Sequence, residues 1–303
     1  MKKVLFTLAA VCAVAGTVTL AQQRERRAPD PRSMGGGDCR DNPYNCADAP
    51  NPLPKTDTVW LEEMTWMDVR DALKAGKTTA IISTGGIEPN GPWLVLGKHN
   101  YVLHTNCDAI ARKLGNALCA PIVKYVPEGD IEKKTGHMAS PGTITMREET
   151  FRAVLSDTAE SLQAHGFKTI VFIGDSGGNQ AGMVAVAKAL NEAWKDAGTK
   201  VYALTDYYEG GREHYRAWME AAFGYDDATV GAHAGISDTS QMLYVYPQGV
   251  RKDRIQPWGG PADSGVSGDP MKATAEIGRM GIAYKVNAGL NQLKALKAPP
   301  RGG

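Results

Sequence analysis

The chain has 303 residues, of which 43% are hydrophobic and 22% are charged. This composition is typical of a globular protein with a sizeable core, and it excludes a wholly disordered chain. The 34 basic residues nearly balance the 33 acidic residues, for a net charge of +1. Because no basic excess is present to neutralise phosphates, we expect no nucleic-acid partner.

Residues 1–21 have the pattern of a secretory signal. Lys2 and Lys3 give a positive start, an apolar run follows as far as Leu20, and Thr19 and Ala21 place small residues just before Gln22. A buried first helix or strand is the alternative interpretation. We therefore expect an exported protein, periplasmic or secreted, that has no membrane segment after cleavage.

Residues 22–56 are rich in proline, glycine and arginine, which predicts an extended, flexible tail. Cys39 and Cys46 lie in a short polar loop of this tail. Their spacing suits a disulfide in an oxidising compartment, and two free thiols are the alternative. Cys107 and Cys119 flank a helical segment and a strand, where we expect them to be small core residues.

Helical and strand-like segments alternate over residues 57–303. Such alternation predicts βαβ crossovers and therefore a three-layer α/β domain, with a mainly parallel sheet covered by helices on both faces. In such sheets ligands bind beyond the carboxyl ends of the strands, here in segments 84–100, 174–180 and 206–211. We predict strands at 78–83, 120–126, 168–173 and 200–205, and helices at 66–75, 100–114, 147–165, 180–197, 212–223 and 273–296.

Five motifs hold most of the reactive side chains of this domain: GGIEPNGPWLVLGKHN at 85–100, HMASPGTI at 137–144, GDSGGN at 174–179, HAGISDTS at 233–240, and GVSGDP at 265–270 followed by ATAEIGR at 273–279. In this order they resemble the motifs of the creatininase (creatinine amidohydrolase) family over roughly residues 60–295. The resemblance implies a three-layer α/β hydrolase of small cyclic or linear amides, in which a metal centre, usually of two divalent ions, activates water. It also implies a homo-oligomer.

The family's metal-ligand positions are altered in this chain. Glu88 keeps the glutamate of the first motif, but Asn90 and Ser176 stand where the family has histidines. His99 replaces the aspartate that bridges two metals, and a neutral imidazole coordinates through one nitrogen at a time. We therefore expect one divalent ion (Zn, Mn or Fe) or none, rather than two. The candidate ligands are Glu88, His99, Asp175 and Asp238, the last of which shortens a family glutamate.

The same motifs supply the remaining candidate residues. His137 and His233 match family positions near the substrate pocket, and with Asp175 they are candidate catalytic residues that orient substrate or transfer protons. Each has a structural alternative: the histidines as core residues, and Asp175 as a helix cap. The candidate pocket residues are Asn90, Trp93, Ser176, Gly177, Gly178 and Asn179.

Three functions stay open for this sequence. The first is a metal-dependent amidohydrolase of the creatininase type, and the second is a non-catalytic binding protein that has lost its metal centre. The third is a serine hydrolase, because residues 174–178 also fit the G-x-S-x-G pattern of a nucleophile elbow between a strand and a helix. In that case His233 or His137 would activate Ser176, with Asp206 or Asp238 as the orienting carboxylate.

We expect the mature protein to begin at or near Gln22, because Thr19 and Ala21 form the well-placed small pair after the apolar run. The intact mass of the exported protein measures this directly. A mass that includes residues 1–21 would contradict the export signal.

Overall fold

The structure is a computed structural model that describes residues 37–46, 49–256 and 265–298. The expected signal, residues 1–21, lies outside these ranges. The described chain divides between Leu53 and Pro54 into two units. In the first unit, Cys39 is disulfide-bonded to Cys46, and the short turn Pro43–Asn45 lies between them.

Four parallel strands form the sheet of the second unit. They are β1 (Thr79–Thr84), β2 (Ala117–Cys119), β3 (Thr169–Gly174) and β4 (Lys200–Ala203), in the spatial order β2-β1-β3-β4. β1 is buried along its whole length, as expected for a parallel strand covered on both faces. The direction of the chain connections reverses between β1 and β3. In α/β sheets this switch point opens a crevice in which ligands bind.

Helices cover both faces of the sheet, as the sequence predicts. Right-handed crossovers place α2 on one face and α3 and α4 on the other, and α8 packs against α2. Of the helices that the structure describes, none combines the length and apolar character that crossing a membrane requires. The described α-helices are α1 (Trp66–Lys74), α2 (Lys98–Leu114), α3 (Glu148–Ala164), α4 (Gln180–Ala193), α5 (Glu209–Phe223), α6 (Asp227–Val230), α7 (Ile236–Val245) and α8 (Ala275–Lys297).

Three segments differ from the sequence prediction. The strand predicted at 120–126 is wrong: β2 ends at Cys119, and beyond it only isolated bridges join Val123 to Thr84 and Val126 to Thr145. Pro121 has no N–H to donate, which interrupts a regular ladder directly after β2. The other two are α6 and α7, which are missing from the predicted elements although α7 contains most of the fourth motif.

The second unit contains a disulfide that the sequence reading missed. Cys107 and Cys119, expected to be free core residues, are bonded to each other and fully buried. Helix α2 packs beside β2, which brings their Cα atoms to 6.1 Å. The bridge therefore fastens the helix that begins at the crevice to the edge strand of the sheet.

Breaking this bridge should destabilise the α/β unit. We expect the double variant Cys107→Ala/Cys119→Ala to lower the free energy of unfolding by about 2–4 kcal/mol, because the unfolded chain regains the freedom that the bridge removes. Urea unfolding measures the loss, and the double variant Cys39→Ala/Cys46→Ala, which opens the bridge of the other unit, is the matched control. Equal unfolding free energies for the two double variants would contradict the expectation.

Candidate functional site

A cavity of about 270 Å³ lies at the switch point of the sheet. The segments that follow β1 and β3, the start of α2, and residues of α5, α7 and α8 form its walls. Charged and titratable groups dominate the lining, which is the usual character of a chemically active site. These residues are Glu88, Lys98, His99, His137, Asp175, Tyr208, Arg212, Tyr215, Arg216, His233, Asp238 and Lys285.

The buried imidazole of His99 joins two buried carboxylates. Its Nε2 lies 2.7 Å from Oε1 of Glu88, and its Nδ1 lies 2.8 Å from Oδ2 of Asp175. Both ring nitrogens must carry a proton to donate to two carboxylates. Burial and the nearby Lys98 charge oppose protonation, but the charge of Glu88 and the two hydrogen bonds outweigh them and raise the pKa of His99 to about 9. His99 is therefore an imidazolium at neutral pH.

The local chain path explains why these three groups meet. Glu88 lies four residues beyond the end of β1, and Asp175 directly follows β3. His99 is the second residue of α2, which starts at this same end of the sheet. Asn179 fixes the loop after β3, since its Nδ2 donates to the carbonyls of Thr84 and Gly85 at 3.1 and 2.9 Å.

Two buried lysines neutralise the other carboxylates of the cavity. Lys285 Nζ donates to Oδ1 of Asp175 at 2.6 Å, and Lys98 Nζ lies 3.0 Å from Oδ2 of Asp238. Burial alone would raise the pKa of Asp175, but Lys285 and His99 hold it well below its usual range. Burial would lower the pKa of Lys98, but Asp238 and the other carboxylates raise it instead. Each lysine thus lies in direct contact with a carboxylate.

A second histidine–carboxylate contact lies on the other side of Glu88. Nδ1 of His137 is 2.9 Å from Oε2 of Glu128 and 2.6 Å from Oε2 of Glu88. Contact with Glu128 first, and with Glu88 second, raises the pKa of His137 to about 10. Burial raises the pKa of Glu128 to about 7, with Glu88 adding to the effect. Glu128 is therefore a polar partner that holds His137 beside Glu88.

Glu88, His137 and His233 fit one metal ion. Their ligand atoms lie within 4.8 Å of one another, and no other described trio of histidine, cysteine or acidic side chains converges in this way. Oε2 of Glu88 is buried 2.6 Å from Nδ1 of His137 but outside hydrogen-bond geometry, so its lone pairs remain for an ion. Burial lowers the pKa of His233, so its imidazole is neutral as ligation requires, whereas His137, whose pKa is raised to about 10, would release a proton when it binds the ion. Two imidazoles and a carboxylate suit zinc, iron or manganese.

The four ligands predicted from the sequence do not gather around one point. Both nitrogens of His99 are occupied by Glu88 and Asp175, and Asp175 is also paired with Lys285. Asp238 is paired with Lys98 and accepts from the Ala234 backbone N–H at 3.3 Å. Of that set, Glu88 alone belongs to the convergent trio. The two histidines predicted to be catalytic, His137 and His233, complete it.

The predicted pocket residues divide into two groups. Ser176, Gly177 and Gly178 line the cavity. Asn90, Trp93 and Asn179 are not in the lining. Nδ2 of Asn90 lies 3.3 Å from Oε1 of Glu88, Trp93 is buried in a separate apolar cluster, and Asn179 donates to the backbone at the end of β1. Within the described residues no hydrogen bond joins the Ser176 hydroxyl to a histidine, so the general base of a serine nucleophile is not in place there.

Sequence reasoning missed Lys98, Lys285 and Glu128. Lys285 had a detectable signal, because it falls in the apolar stripe of α8 beside Ile282 and Val286, where a lysine needs a buried partner. Glu128 lies two residues after Val126, where the extended segment that follows β2 ends. Its position after an extended segment is therefore the same as that of the motif residues that follow β1 and β3. Lys98 lies within the first motif but has no signal that would name Asp238 as its partner.

The fold and this carboxylate–histidine crevice define an α/β protein with a hydrolase-like site at the carboxyl edge of a parallel sheet. A family model described as creatinine amidohydrolase matches residues 62–291, and the chain belongs to this creatininase family.

Two curated relatives illustrate the spread of the family. Creatinine amidohydrolase of Pseudomonas putida is 24% identical over 203 residues, which cover 65% of this chain and 76% of that protein. The mycofactocin precursor peptide peptidase of Mycolicibacterium smegmatis is 25% identical over 245 residues, which cover 74% of this chain and 87% of that protein. Both matches take in most of the α/β domain.

Solved structures agree on the fold. A crystal structure of creatinine amidohydrolase superposes with a TM-score of 0.67 and 21% identity, covering 81% of this chain and all of that one. A creatininase variant of the Zn–Zn type gives a TM-score of 0.68 at 20% identity, and a manganese creatininase gives 0.66 at 21%; each covers 80% of this chain and all of its own. These proteins share the three-layer arrangement around the crevice.

The variant Lys285→Met should leave Asp175 without its lysine. Breaking one side of a buried ion pair costs about 3–5 kcal/mol of unfolding free energy. Chemical denaturation measures the loss, with Lys294→Met on the exposed side of the same helix as the matched control. The double variant Asp175→Asn/Lys285→Met should recover part of the loss, since no uncompensated carboxylate remains. A Lys285→Met protein as stable as the control would show that the pair contributes little.

Proposed function

We propose that this chain is a metal-dependent amidohydrolase that hydrolyses a C–N bond of a small amide. One divalent ion would be held by Glu88, His137 and His233. The observation that carries the proposal is the convergence of these three side chains in a cavity at the switch point of a creatininase-family fold. A bound ion would polarise the amide carbonyl and lower the pKa of water, so that hydroxide is available near neutral pH.

The surrounding residues would hold these ligands in place. His99 donates to Oε1 of Glu88, which leaves Oε2 beside His137. Glu128 accepts from His137 and fixes the orientation of its ring. Partners of this kind orient metal ligands and typically change metal affinity about 10–100-fold when removed. Lys98 and Lys285 keep Asp238 and Asp175 from competing as ligands.

A binding protein without a metal is the second candidate. It is favoured by the ion pairs themselves, because Asp175 and Asp238 are already neutralised by lysines. A site built in this way stays balanced in charge when no metal is present. Metal content measured together with activity separates the two candidates.

We also propose that the protein is exported and assembles as a homo-oligomer. Two disulfides in the described chain support an oxidising compartment, since such bonds are rare in reducing ones. The family resemblance supports assembly.

We expect wild-type protein to carry about one divalent ion per chain and to hydrolyse a small amide within a panel of cyclic and linear amides. Glu88→Gln and His233→Gln should each lower metal affinity at least about a hundredfold, since each removes a ligand rather than a supporting partner. Elemental analysis and amide hydrolysis should fall together in both variants.

His165→Gln is the matched control, because His165 caps the end of α3 and is remote from the cavity lining. It should keep both the metal and the activity. Wild-type protein that is metal-free and inactive on the whole panel would favour the binding protein. Two ions per chain would contradict the single site.

A further inference from the structure

The turn that follows β3 presents unused hydrogen-bond donors to the cavity. Ser176, Gly177 and Gly178 all line it, directly before α4. In the described chain, neither the Gly177 nor the Gly178 N–H donates to another protein atom. Such N–H groups at the start of a helix favour an anion.

The Ser176 hydroxyl is a third potential hydrogen-bond donor at this turn. The residue is 8% exposed, it faces the cavity, and its side chain caps nothing and has no hydrogen-bond partner among the described residues. A nearly buried hydroxyl without a partner loses free energy unless a ligand or water supplies one. It lies beside the two free N–H groups.

Arg212 contributes a positive charge to the same cavity. Its guanidinium lies 5.6 Å from the ring centre of Tyr208, and both residues line the cavity and the depression at its mouth, as Gly177 does. No carboxylate pairs with Arg212 in the described part of the chain, although Glu209 and Glu213 border the same depression. The other mouth arginine, Arg216, is paired with Asp227 and the Gly231 carbonyl. Arg212 is thus the cavity cation left for a ligand.

The charged residues of the cavity favour an anionic group on the ligand. Glu88, Asp175 and Asp238 each have a protein cation as partner, namely His99, Lys285 and Lys98. A cationic substrate would find no free carboxylate within the cavity. An arginine with convergent N–H donors is the arrangement that recognises a carboxylate.

We propose that the Ser176–Gly178 turn and Arg212 form a subsite for a carboxylate of the substrate, so that the amides cleaved by this protein are those of acids such as N-acyl amino acids. This inference rests on the proposed amidohydrolase function for the bond that is cleaved. The subsite itself is independent of that function, since binding alone reveals it. A cavity of about 270 Å³ limits the substrate to a small molecule or the end of a chain.

Two variants remove one donor each. Arg212→Gln removes the charge. Gly177→Pro removes an N–H that donates to no protein atom among the described residues, and the extended Ser176 backbone (φ −122°, ψ 147°) accepts a following proline. Gly177→Ala is its matched control, because it keeps the N–H and its methyl group would meet Tyr208 at an ordinary 3.6 Å. Arg152→Gln, at an exposed pair with Glu148 on α3, is the control for Arg212→Gln.

The probes are N-acetylglycine and its neutral counterpart N-acetylglycinamide, titrated by calorimetry into the full exported chain. We expect wild type to bind the carboxylate at least about tenfold more tightly than the carboxamide. Arg212→Gln and Gly177→Pro should each weaken carboxylate binding about tenfold and leave carboxamide binding within about twofold. Arg152→Gln should match wild type, and Gly177→Ala, which keeps the N–H, should keep the preference for the carboxylate.

Equal affinity for the two probes, binding of neither, or carboxylate binding unaffected by Arg212→Gln and Gly177→Pro would overturn the subsite. Acetate release from each probe tests the proposed amidohydrolase function separately from the subsite. Carboxylate-selective binding without hydrolysis of any amide supports the subsite and contradicts the enzyme. Hydrolysis of both probes at equal rates, unchanged in both variants, supports the enzyme and overturns the subsite.

Discussion

A protonated imidazole between two buried carboxylates connects the parts of this site. His99 donates to Glu88 after β1 and to Asp175 after β3, so one side chain joins the two strand ends that border the crevice. The arrangement is stable only while both ring nitrogens carry protons, and the two carboxylates are what keep them there. Removal of Asp175 alone would leave the buried Lys285 without its carboxylate, and removal of Glu88 would leave His99 with one carboxylate instead of two, and both changes are costly. The geometry of the crevice therefore depends on this contact.

The same contact decides which residues are available to a metal. A histidine that donates through both nitrogens has no lone pair in the ring plane to give, so His99 supports Glu88 instead of ligating beside it. Lys285 and Lys98 likewise occupy Asp175 and Asp238. What remains is the oxygen of Glu88 that His99 does not use, together with the neutral His233 and the partly buried His137. The protein cations thus balance the carboxylates that lie outside the convergent trio.

The sequence predicts the fold and the location of the site better than it predicts the contacts within the site. Periodicity and motif order predict the parallel sheet, and the segments after β1 and β3 do supply Glu88, His99 and Asp175. The assignment of His99 as a ligand relied on its motif position, whereas its bonding follows from Asp175, which is 76 residues away in the sequence. Lys285 is farther still, at 110 residues from Asp175. Pairings over such distances depend on tertiary packing, which residue type and spacing do not encode.

Charge also links the proposed metal to the proposed substrate. A divalent ion on Glu88 would more than offset the charge of that carboxylate. The remaining charged groups are three cations, Lys98, Lys285 and His99, and two carboxylates, Asp175 and Asp238, which leaves one positive charge in excess. Arg212 adds a further positive charge at the mouth. The interior of the cavity is then positive overall, which favours entry and retention of an anion and disfavours a cation. A neutral amide would gain nothing from this field. The carboxylate of an acid amide would be held by it at the end of the cavity where the Gly177 and Gly178 N–H groups are free.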